Sequence, residues 1–144
     1  MDFRLFKMEP EAKILFGFDK DACIDSELTK HPTFVRHAKH FIRMFDKAVE
    51  LLGPDVELLT DIMLDLGAKH ATYGVKPEYY PSMGRALIEV IRELLGDSWN
   101  NITEQAWFEM YGAISYDMIR AQQKAHVKPA EPHYVRQLSS NVSI

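Results

Sequence analysis

The sequence predicts an all-α fold in one domain. Apolar residues recur at steps of three and four along four long segments. Each segment closes at a glycine or at a Pro- and Ser-containing stretch, and none sustains the alternation of a strand. A length of 144 residues suits one hydrophobic core, and 47% hydrophobic with 26% charged residues is the balance of a soluble globular protein.

The elements follow in chain order. Residues 1–9 carry Phe3, Leu5, Phe6 and Met8 and read as the last turns of a helix. Glu9-Pro10-Glu11-Ala12-Lys13 is a helix start, because proline is tolerated in a first turn and carboxylates suit its positive end. Residues 17–33 lack a period and read as a loop with one short helical turn. From Thr33 to Leu52, Phe34, Ala38, Phe41, Phe45, Ala48 and Leu52 form one stripe, which Gly53-Pro54 stops. Val56, Leu59, Met63, Leu66 and His70 repeat it up to Gly74. A third long helix is expected from Glu78 to Leu95, with Tyr80, Met83, Leu87, Val90, Ile91 and Leu94 inward, and it ends at Gly96. The last is expected from Thr103 to Lys124, with Trp107, Met110, Ile114 and Met118 inward and Asn101 or Thr103 as its cap. The domain is expected to span 1–124. Residues 125–144, with Pro129, Pro132 and a Ser/Asn-rich end, read as a flexible tail.

Several function classes are excluded. The net charge is −4 with Lys and Arg scattered among acids, so no nucleic-acid partner is expected. No apolar run is long enough to span a bilayer or to serve as a secretion signal, and none implies a membrane partner. Cys23 is the sole cysteine, which excludes an internal disulfide and fits a reducing compartment. The expected location is the cytoplasm, so the sequons at Asn101 and Asn141 are chance matches.

The chemistry rests on histidines. His70 closes the stripe of its helix, and His37 shares a face with Phe34, Phe41 and Met44, with His40 one position off it. A lone histidine on an apolar face is ordinarily a core residue bonded to a carbonyl, since its buried nitrogens need partners. Two such histidines on consecutive helices favour a ligand role more than either alone does. Zinc wants three or four convergent nitrogen or sulfur ligands, and neither HExxH nor a second cysteine is present. Haem brings four nitrogens of its own and needs one or two from the protein, so histidines amid bulky apolar residues suit it better.

Three segments then resemble a known family. Phe6-Lys7-Met8-Glu9-Pro10-Glu11-Ala12-Lys13-Ile14-Leu15-Phe16 is similar to the end of the second helix and the following short helix of globins. Asp65-Leu66-Gly67-Ala68-Lys69-His70-Ala71-Thr72-Tyr73-Gly74-Val75-Lys76-Pro77 resembles the globin segment around the proximal histidine, especially in neuroglobins and cytoglobins. Ala106-Trp107 and Tyr111-Gly112-Ala113-Ile114 resemble the last globin helix. The resemblance covers residues 3–122 and implies a globin-like 3-on-3 helical sandwich, N-terminally shortened because the family's first helix has no counterpart. Asp2 falls where the family has an apolar residue or tyrosine over the ligand.

What the resemblance implies is a b-type haem (iron protoporphyrin IX) held by His70 as proximal and His37 as distal ligand. It places Phe16 on the haem face and Phe41 in the distal pocket. It puts Val75, Tyr80 and Met83 on the proximal and rear walls, and Phe18 and His40 at the haem edge and propionates. The carbonyl of Leu66 is the expected acceptor for the other nitrogen of His70. The implied function is reversible binding of dioxygen, nitric oxide or carbon monoxide for storage, transport or sensing, with bis-histidine coordination as an option. One alternative is nitric oxide dioxygenase or nitrite reductase activity. It would need a reductase in trans, because no GxGxxG is present. A haem-free helical interaction domain is the remaining class, and retention of both histidines and Phe16 argues against it.

Overall fold

The computed structural model describes residues 4–126, and every regular element among them is helical. The helices are α1 (Arg4–Met8), α2 (Ser26–Lys30), α3 (Pro32–Leu51), α4 (Val56–Thr72), α5 (Tyr79–Leu95) and α6 (Asn101–His126). Two tighter 3₁₀ segments, Pro10–Phe16 and Gly96–Ser98, lie between them. Phe3, Asp2 and the tail expected to follow Lys124, beyond His126, lie outside the described residues. No described helix is long and apolar enough to cross a membrane.

Local chemistry sets the boundaries. The segment after Glu9 is a 3₁₀ helix rather than an α-helix, and it ends at Gly17, whose φ of +84° suits a residue without a β-carbon. The loop that follows is tied down from below. Lys13 is buried, and its ammonium donates to the carbonyls of Lys20 (2.9 Å) and Ala22 (2.8 Å). Asp25 caps α2 through its side chain, and Pro32 opens α3. The cap of α6 is Asn100, whose Oδ1 accepts from the Thr103 N–H at 3.0 Å, so the helix starts before the expected Thr103.

Two apolar clusters form the interior. Ala48, Leu51, Leu59, Met63, Tyr80, Ile114 and Met118 make the first, from α3, α4, α5 and α6. Phe6, Ala12, Leu28, Phe34 and Tyr79 make the second, from the N-terminal half and the start of α5. Val75 packs against both. On α5 the expected stripe is corrected: Leu94 is 79% exposed, whereas Ser82, Gly84, Ala86 and Ile88 are buried. The reason is close approach. A β-carbon on Gly84 would meet the Tyr111 ring at 2.5 Å, so Tyr111 of α6 lies directly over the α5 backbone at this glycine. Leu52 and Val56 also face solvent, at the ends of α3 and α4, where the helices run out of core.

Candidate functional site

The site lies between α3 and α4. His70 stands in the last turn of α4, half-buried, with its Nδ1 2.8 Å from the Leu66 carbonyl one turn earlier. That carbonyl can only accept, so Nδ1 carries the proton and Nε2 keeps a free lone pair. The turn after α4 reinforces the placement. Gly74 takes a φ of +84°, and the Val75 N–H donates to the His70 carbonyl at 3.1 Å.

His37 sits in the second turn of α3 and faces His70, with ring centroids 6.5 Å apart and planes at 61°. Burial holds its imidazole down to about 4, helped by the neighbouring His70 and His40. Burial lowers His70 as well, against the opposing pull of the Leu66 carbonyl. Both rings are therefore neutral at physiological pH, the form in which imidazole can ligate a metal.

Aromatic side chains close the site. Phe16 meets His37 edge-on at 5.2 Å, and Tyr80 lies 6.4 Å from His70 at 44°. Tyr73 approaches His70 from the exposed side at 6.3 Å. Of the residues singled out from sequence, the structure thus joins Phe16, His37, Leu66, His70, Val75 and Tyr80. Phe41 is half-buried and stacks on Phe45 (5.9 Å), which stacks on Trp107 (5.4 Å). Phe18 packs against His31 at 4.7 Å rather than on either histidine of the pair, and Met83 is half-buried one turn beyond Tyr80. His40 is exposed and lines a groove of about 390 Å³ with Lys30, Arg36, Lys39 and Arg43. Four cations from the short stretch 30–43 converge there. Sequence reasoning missed Gln122, whose Nε2 donates to the Tyr80 hydroxyl at 2.7 Å. Its type and its place near the end of a helix gave no signal of burial.

Among the described residues no group of three or more His, Cys, Asp or Glu side chains could cage a bare metal ion. The donor set is two imidazoles walled by aromatic rings.

The globin family model matches residues 3–118. The chain belongs to the globin family. It is 31% identical to a neuroglobin of Tetraodon nigroviridis over 121 residues, spanning 84% of this chain and 76% of that protein. A neuroglobin of Danio rerio and neuroglobin-2 of Oncorhynchus mykiss are each 30% identical over the same shares. This globin therefore has the helical sandwich of its family and the family's general function, the binding of haem and of a small gas.

Proposed function

We propose that this globin holds b-type haem between His70 and His37 and binds a small gas reversibly by displacing His37. The observation that carries the reading is the 6.5 Å between the two ring centroids. Two metal–nitrogen bonds of about 2 Å each, together with the two ring radii, come to roughly that separation. One iron fits between the rings.

Haem, when bound, supplies the iron and the exchangeable coordination position. The chain's own residues do the rest. His70 is the proximal ligand, and its bond to the Leu66 carbonyl fixes the tautomer and raises the basicity of Nε2. Phe16 restricts His37 and keeps water from that side of the pocket. His40 and the neighbouring cations of α3 offer positive charge to the propionates. The ring N–H of His37 would be a hydrogen-bond donor to dioxygen or nitric oxide held on its side, and a hydrogen bond with charge on one partner contributes about 1.5–3 kcal/mol. While His37 occupies the position, apparent gas affinity falls in proportion to the open fraction.

Absorption spectra of hemin-loaded wild type, His70→Ala and His37→Leu test this. Wild type should be six-coordinate and low-spin when oxidised and when reduced. His37→Leu should keep haem, turn five-coordinate and bind carbon monoxide faster, whereas His70→Ala should lose most of its haem. A five-coordinate reduced wild type would remove His37 as a ligand, and equal haem retention in His70→Ala would overturn the proximal assignment.

A further inference from the structure

The C-terminal part of α6 buries a polar side chain that the haem reading does not use. Gln122 is 0% exposed, and its Oε1 is buried without a hydrogen-bond partner. Its Nε2 donates to the hydroxyl of Tyr80, 42 positions away in sequence. A buried amide with one unsatisfied end is a poor way to fill a core, because an apolar side chain of similar volume would avoid the desolvation cost. The side chain therefore calls for an explanation other than packing.

Its partner supplies one. Tyr80 is held at two points: its backbone carbonyl accepts the Tyr111 hydroxyl at 2.8 Å, and its own hydroxyl accepts from Gln122 at 2.7 Å. Between these anchors the phenol ring lies 6.4 Å from the His70 ring. The Leu66 carbonyl fixes one nitrogen of His70, but a single hydrogen bond leaves the imidazole free to tilt about that bond. At that distance the Tyr80 ring can limit the tilt, and the Gln122 bond adds to core packing in holding the hydroxyl end of the ring in place.

We propose that Gln122 is a positioning residue for His70, acting through Tyr80 to fix the angle of the proximal imidazole. This rests on the haem reading above. Outer partners that orient a metal-bound histidine typically change metal affinity by about 10–100-fold. Gln122 stands one step further out, so about tenfold is expected.

The test uses the hemin-loaded full chain as wild type, Gln122→Met, Tyr80→Phe and the double variant. Two quantities are read: the rate of hemin loss to a scavenger and the low-spin ferric EPR spectrum, whose principal values follow the relative orientation of the two axial imidazole planes. Gln122→Met and Tyr80→Phe should each shift or broaden the EPR signal and speed hemin loss by about tenfold. The double variant should match the single ones, since one bond is lost in all three. Faster hemin loss with an unchanged EPR spectrum would reduce Gln122 to a structural role and overturn the proposal. So would additive effects in the double variant, or no change at all. If wild type gives no low-spin spectrum, the haem reading fails first and takes this inference with it.

Discussion

Gly67 of α4 lies against the backbone of Met118 of α6 so closely that a β-carbon on Gly67 would stand 2.3 Å from the Met118 carbonyl oxygen. Backbone cannot step aside as a flexible side chain can, so the two helices would have to part. Gly67→Ala gains about 1 kcal/mol of helix propensity. It should nevertheless destabilise the chain, since overpacking against a fixed neighbour typically costs about 1–3 kcal/mol or more. Urea unfolding measures the loss. His70 is three residues further along α4, so hemin retention should fall as well.

The chain without added haem should lose stability as pH falls from about 6.5 to about 4. Above pH 6.5 His37 is neutral whether the chain is folded or unfolded, and it contributes nothing to the pH dependence. Below that, the unfolded chain takes up a proton that burial denies the folded one, until the folded imidazole protonates near 4. His70 acts in the same direction. Urea midpoints across this range should decline in wild type and decline less in His37→Leu. Equal slopes would mean that His37 is more solvated than its burial implies.

Lys13 should prove structural rather than functional. Its ammonium holds the carbonyls of both Lys20 and Ala22. Lys13→Met should cost about 2 kcal/mol, the scale of hydrogen bonds from a charged donor. Limited proteolysis should then cut first within residues 17–25, while the ligand-binding spectrum of the surviving chain stays that of wild type.

Asn100→Ala should cost about 1 kcal/mol through the lost cap of α6, and Asn101→Ala should cost a few tenths at most. Thermal midpoints of the two variants separate them. The pair is informative because sequence reasoning favoured Asn101 or Thr103 as the cap.

That one-residue error shows what kind of information the sequence carried. Periodicity set His70 at the end of a regular stripe, its ligand role came from family resemblance, and the expected contact with the Leu66 carbonyl one helical turn back is present. Phe16 became legible through family resemblance, and the structure sets it edge-on to His37. Periodicity failed where burial falls on small residues: Gly84 is buried because its missing β-carbon lets Tyr111 come close, and Ser82 because it bonds Glu9, properties no hydrophobic pattern records. It also failed for Leu94, which continues the stripe of α5 past the end of the core. Gln122 and its bond to Tyr80 depend on two helices meeting, and nothing near either residue along the chain announces that.

Tyr79 and Tyr80 are consecutive, yet each is sealed into a different apolar cluster. A two-residue step of one helix thus serves as a party wall between both halves of the interior. Neither half can melt without baring one side of that wall and loosening its neighbour. The histidines draw on both halves, since Phe16 of one leans on His37 and Tyr80 of the other leans on His70. Ligand grip and global cooperativity are therefore set at the same place in the chain, and a disturbance on either side of the wall will be felt as a change in the span between the two imidazoles.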